Sequence, residues 1–195
     1  MKSREGKVVD ADDLIEELEK MAKDEIISKG RDAEIEDVDK AAEAIALGAL
    51  NYFLLSTIPA KDMVFNPAES LSFTGNTGPY LQYTGARICT MLAKYGQSTD
   101  GVDYSLATND DEWEIIKLIG NFGSIVRQAG KDFNPMLIAT YLYNLAKLYS
   151  KYYHDYPILK SDVELAKARV VLSKGVLQVL KNGFALIGIP FLEKM

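Results

Sequence analysis

Leu14, Ile15, Leu18, Met21 and Ala22 recur at the three- and four-residue spacing of one helix face, behind an N-cap signal at Asp10 with Asp13 in the first turn. The outer face of that helix is strongly acidic. After a polar connection from Ser28 to Glu36 that contains Gly30, the positions from Asp37 to Ser56 are apolar nearly all round and rich in alanine. That pattern predicts a helix packed on several sides, the most buried element of the first part. Pro59 ends it. Between Asp62 and Phe73 the apolar residues Met63, Val64, Phe65, Leu71 and Phe73 flank Asn66-Pro67, which predicts a short strand pair or extended segments.

Gly75, Asn76, Thr77 and Gly78 form a turn, Pro79 stands where a first helical residue has no amide partner to lose, and Gly96 follows Tyr95, so a helix is expected over 79–95. Residues 96–109 are rich in Gly, Ser, Thr, Asp and Asn and read as a linker. Trp113, Ile116, Ile119, Phe122 and Val126 mark a helix ending near Gly130. Asn134-Pro135 opens another, whose buried stripe runs through Ile138, Tyr141, Leu142, Leu145, Leu148 and Tyr149 until Pro157 stops it. Ser161 with Glu164 is a capping-box pair opening a last long helix through Leu165, Ala168, Val171, Leu172, Val176 and Val179, before a tail from Gly188 to Met195. The fold class is mainly α, and no internal repeat is present.

At 195 residues, one elongated domain or two small ones fit the length, and 48% hydrophobic with 26% charged residues is an ordinary folded composition. The apolar run Ala44 to Ile58 is 15 residues long against the roughly 20 that a bilayer requires, and is a core helix. A single cysteine, Cys89, and the lack of a leader-like start point to the cytoplasm. With one histidine, His154, there are too few soft ligands for a zinc site and no room for a serine or cysteine triad. The net charge of −6 is uneven: residues 1–115 hold 11 basic and 23 acidic residues, giving −12, whereas 116–195 hold 11 against 5, giving +6. Local potential recruits phosphate, so the second part has the footprint of a polyanion-binding surface; a solvated lysine-rich helical face is the alternative.

The stretch Thr74-Gly75-Asn76-Thr77-Gly78-Pro79-Tyr80-Leu81-Gln82-Tyr83-Thr84-Gly85-Ala86-Arg87 resembles a characteristic segment of arginyl-tRNA synthetases. Ala139 to Ala146, Tyr153 to Leu159, Val179 to Gly183 and the ending at Met195 are similar to the same family's anticodon-binding domain, in the family's order. Met1-Lys2-Ser3-Arg4-Glu5-Gly6 is a partial match to its version of the class I signature loop, with Ser3 where many class I enzymes carry a second lysine. The resemblance covers essentially the whole chain but only the C-terminal part of such an enzyme. It implies a small α(+β) stem-contact and junction region over 1–96, then a helical anticodon-binding bundle over 97–195. The implied partners are tRNA, in particular tRNA(Arg), and an upstream catalytic domain that uses ATP with Mg. The segment alone is expected to lack cofactors and to be inactive in aminoacylation. A free-standing helical protein-interaction adaptor is the alternative from another class.

Six of the eleven tyrosines lie between Tyr141 and Tyr156, interleaved with Lys147 and Lys151. Aromatic faces beside cations suit unstacked bases. Periodicity assigns Tyr141 and Tyr149 to the core and leaves Tyr152 and Tyr153 as stacking candidates. Lys167, Arg169, Lys174 and Lys181 on the last helix are candidates for phosphate contacts, and the resemblance implies that Tyr153 and Met195 lie near the anticodon loop. Gln82, Tyr83 and Arg87 are the junction candidates, with fixing one half against the other as their structural role. His154 meets the negative end of a helix dipole and is assigned no chemistry.

Overall fold

Asp10 caps α1 (Ala11–Ser28) by accepting a hydrogen bond from the Asp12 amide, and Asp37 caps α2 (Val38–Leu55) by accepting one from the Lys40 amide. The computed structural model describes residues 10–58 and 61–195. α1 and α2 fold back on each other and bury Leu18, Ala22 and Ile26 against Ala41, Ala42, Ile45, Ala46 and Ala49. Alanine at four of these five α2 positions lets the two backbones approach closely.

Of the strand pair or extended segments expected over 62–73, no strand occurs among the described residues, and residues 62–66 run without regular structure into a short helix, so the α(+β) expectation is corrected to α alone. Pro67 has no amide to give to a ladder. Instead Asn66 accepts a hydrogen bond from the Glu69 amide and starts the short α3 (Pro67–Ser70). Three apolar residues of this segment plug the hairpin, with Leu71 buried, Phe65 and Phe73 packed beside it, and the Phe65 ring edge-on to Phe53 at 4.8 Å, whereas Met63 and Val64 are exposed.

α4 (Gly78–Tyr95), α5 (Asp110–Asp132), α6 (Met136–Asp155) and α7 (Val163–Ile187) form the bundle. Thr77 caps α4, and Gly96 closes it at φ 58°, the left-handed conformation that glycine adopts without strain. Leu81, Ile88 and Met91 of α4 enter the same core as Ile115, Leu142, Leu145, Val176, Leu180 and Phe184. The capping box lies at Asn109 and Glu112, at the start of α5, and not at Ser161 and Glu164. Ser161 is diverted: its hydroxyl donates to the Pro157 carbonyl and accepts from Arg169, and Asp162 takes the N-cap position of α7 without a side-chain bond. α7 is, among the described residues, the one helix long and apolar enough to cross a bilayer by length and composition, yet its apolar side is bundle core.

The hairpin and the bundle meet where α2 crosses α4. A Cβ on Gly78 would stand 2.0 Å from the Gly48 carbonyl oxygen, so this crossing needs glycine. Gln82, fully buried, donates from Nε2 to the Ala44 carbonyl at 2.8 Å and to the Pro190 carbonyl at 2.9 Å. After Gly188 turns the chain, Ile189 joins the bundle core, while Leu192 and Met195 pack against the hairpin core, so the tail spans both.

Candidate nucleic-acid interface

α4 and α6 run in the same direction: the Tyr80 ring meets Tyr143, and Arg87 donates from Nη2 to the Ser150 hydroxyl at 2.8 Å, both pairs separated by 63 residues. On the outer side of this seam the Arg87 guanidinium lies 4.7 Å from the Tyr153 ring centre and 5.7 Å from that of Tyr83. Tyr83 is exposed, Tyr153 half-buried, and Arg87 Nε is buried without a protein partner. Lys147 and His154 are exposed on the adjoining strip of α6. A planar cation held between two aromatic rings offers an unstacked base both a stacking surface and hydrogen-bond donors.

Tyr83 also lines a mostly apolar groove of about 300 Å³ with Ile26, Lys29, Ile45, Phe73 and Met195. Met195 is thus packed against the hairpin and joined to the seam through Tyr83. Lys29 stands 4.6 Å over the Phe73 ring.

Tyr152 does not present a ring to solvent, a correction to its expected stacking role. It is fully buried, with its hydroxyl donating to Glu112 Oε1 at 3.0 Å. Burial, then the neighbouring Glu112 carboxylate, raises its pKa well above the ordinary phenol range. Residues 149 and 152 both point into the bundle because the apolar stripe of α6 continues to the end of the helix. Tyr149 donates to Ser173, and Tyr141 to the Leu118 carbonyl.

Arg169 is likewise corrected as a phosphate contact. Its side chain is 12% exposed; Nε donates to Glu112 at 3.0 Å, Nη1 to Ser161 at 2.8 Å, and the guanidinium covers the Tyr156 ring at 5.2 Å. Lys151 is exposed but paired with Asp111 at 2.6 Å and Asp155 at 3.5 Å, and the hydrogen bond to Asp111 raises its pKa. Lys167 faces Glu164 at 3.5 Å. Lys174 donates to Thr99 and ties the 96–109 segment to α7, and Lys181 stands 3.9 Å from Glu193 and 4.5 Å over the Phe191 ring. Lys147 has no ion-pair partner among the described residues.

No group of three His, Cys, Asp or Glu side chains among the described residues is placed to hold a metal ion. Burial pushes the Cys89 thiol above its ordinary value, which disfavours a nucleophilic thiolate. Lys2, Ser3 and Arg4 of the signature-loop match lie outside the described residues.

Residues 81–195 match the DALR anticodon binding domain, more than half of the chain, including Tyr83, Arg87 and Tyr153 of the α4–α6 seam. The chain belongs to that family. An arginine–tRNA ligase of Borrelia hermsii is 49% identical over 199 residues, and one of Treponema denticola 48% over 204; each alignment covers 100% of this chain and 34% of the relative. The DALR chain therefore spans about a third of the length of these curated relatives. Among solved structures, the Thermus thermophilus arginyl-tRNA synthetase superimposes with a TM-score of 0.90 at 32% identity, covering 96% of this chain and 32% of that one. The Plasmodium falciparum enzyme gives 0.86 at 25% identity, covering 96% and 34%.

The sequence reading missed the Arg87–Tyr153 pairing and the Glu112 network. The first has no local signal, because 66 residues separate the partners. The second had one: Asn109 and Glu112 stand at capping-box spacing, hidden in what reads as a linker.

Proposed function

We propose that this chain binds and orients tRNA, with the anticodon loop of tRNA(Arg) laid along the α4–α6 seam, as the tRNA-holding part of an arginine–tRNA ligase. The observation that carries the reading is the Arg87 guanidinium lying over Tyr153 and beside Tyr83, inside the segment that matches an anticodon-binding family. Tyr83, Arg87 and Tyr153 receive unstacked bases, Met195 closes the adjoining groove, and Lys147, Lys174 and Lys181 hold phosphates that position the loop without reading it. Residues 1–96 serve as the stem-contact and junction region and 97–195 as the anticodon-binding domain, with Gln82 as the bolt between them. The setting is the cytoplasm.

In the longer enzyme, ATP with Mg supplies the activation of arginine to an adenylate. In this reading the adenylate chemistry falls to the rest of the longer enzyme, since this chain spans 34% of its relative's length. This chain's part is geometric: it fixes the RNA so that the terminal ribose reaches that site.

Titration of the chain with a tRNA(Arg) transcript at rising salt tests the reading. Binding is expected to weaken linearly in log–log form as counterions are released. An affinity that is absent, or indifferent to salt, overturns it and favours the adaptor. The chain alone is expected to give no arginine-dependent exchange of pyrophosphate into ATP.

A further inference from the structure

Helix ends fray unless something ties their last turn. The last turn of α6 carries Tyr153 and His154 to the outer face, and it is tied from inside by one carboxylate. Glu112, 1% exposed, accepts on Oε1 from the Tyr152 hydroxyl and from Arg169 Nε, both at 3.0 Å, and on Oε2 from the Asn109 amide at 3.2 Å. Arg169 in turn holds Ser161 and lies over the ring of Tyr156, the residue that caps α6. The start of α5, the end of α6, the turn after it and α7 therefore converge on a single side chain.

Removing a carboxylate from a buried pair leaves an uncompensated charge, here in Arg169, and disturbs two acceptor oxygens that three donors use. The cost falls on the turn that carries Tyr153, whose outer face is gripped by Arg87 from α4. The ring is thus set from two sides: Arg87 at its face, and Glu112 through the adjacent Tyr152.

We infer that Glu112 is a positioning residue for tRNA binding: it touches no RNA, and acts by holding the 152–156 turn so that Tyr153 stays in register with Arg87. This rests on the proposed tRNA-binding role of the seam. It assigns a function to a carboxylate on the inner side of the bundle, 1% exposed.

The test compares Glu112→Gln and Tyr152→Phe with the parent chain at a temperature well below each melting midpoint, by tRNA(Arg)-transcript affinity and amide hydrogen exchange. Glu112→Gln is expected to weaken binding roughly tenfold, about 1.4 kcal/mol, with the salt slope unchanged because no phosphate contact is lost. Exchange should rise at 152–156 and not across α7. Tyr152→Phe, which loses one bond and keeps the ring, should show the same pattern with binding weakened roughly fivefold, about 1 kcal/mol, and remains informative if Glu112→Gln fails to fold. A merely structural role would lower the melting midpoint yet leave the affinity of the folded protein within about twofold, and that result overturns the inference. So does a rise in exchange spread evenly over the bundle. A parent chain that binds no tRNA removes the proposed function and the inference together, whereas binding that is normal in the parent and in both variants removes the inference alone.

Discussion

The guanidinium of Arg87 and the ring of Tyr153 lie 4.7 Å apart and join α4 to α6 on the side of the bundle away from its core. Arg87→Lys keeps the charge but loses the plane that stacks on the ring and the donor that reaches Ser150. Stacking of this kind contributes about 1–3 kcal/mol per base, so tRNA affinity measured by filter binding should fall at least several-fold with no change in salt slope. Tyr153→Leu should do the same. The double variant should lose little more than either single one, because contacting residues act as a unit; fully additive losses would separate them.

Tyr149 and Tyr152 are core residues, so their truncation should register in stability. Tyr149→Ala and Tyr152→Ala are each expected to cost about 3–5 kcal/mol in urea unfolding. Tyr153→Ala should cost much less and act on tRNA binding. Near-equal losses at all three positions would contradict the different burial of residue 153.

Lys147 and Lys151 are one helical turn apart but differ in partners. Lys151→Ala removes a cation already engaged by Asp111 and Asp155, and tRNA binding should change little. Lys147→Ala should weaken binding to any tRNA and reduce the salt slope by about one unit. The reverse order would place the phosphate path on the α5 side of α6.

One glycine tests the crossing of α2 and α4, and a second on α5 is its control. Gly78→Ala would put a Cβ 2.0 Å from a backbone oxygen, and overpacking of that sort costs about 1–3 kcal/mol. Gly120 of α5 is exposed, with nothing within 4 Å of an added Cβ. Gly120→Ala should therefore stabilise the helix by about 0.5–1 kcal/mol. Thermal melts of the pair should shift in opposite directions.

Alkaline pH should unfold the protein. Burial raises the phenol pKa of Tyr141 from 10.0 to about 12, and those of Tyr52, Tyr149 and Tyr152 move the same way, chiefly from burial. A folded pKa above the unfolded one means stability that is complete below pH 10 and is lost as pH rises toward 12. Tyrosinate absorbance and helical circular dichroism should therefore change together in that window. Titration of these four phenols near pH 10 with the helices intact would contradict their burial.

The helices and most of their ends were legible in the chain because periodicity, capping residues and Gly or Pro breakers act over a few residues. Asp10, Thr77 and Gly96 do at the ends of α1 and α4 what their types dictate. The stripe of α6 likewise assigned Tyr141 and Tyr149 to the core. The same stripe, followed one turn further, would have included Tyr152, but clustering with lysines drew that residue to the surface reading. Local pattern was ambiguous around Asn66-Pro67, where apolar residues read as strands or extended segments, and of them Phe65, Leu71 and Phe73 serve as plugs in a helical hairpin. What tertiary structure alone decided is the fate of each charge and each ring across helices. Arg169 is consumed by Glu112, Lys151 by Asp111, and Arg87 meets Tyr153. Those partners lie 40 to 66 residues apart, and a side chain's availability to RNA depends on who else reaches it first. Sequence by itself determined that a helical chain with a basic second part would form; packing determined which few of its cations and aromatics remain at the surface to be used.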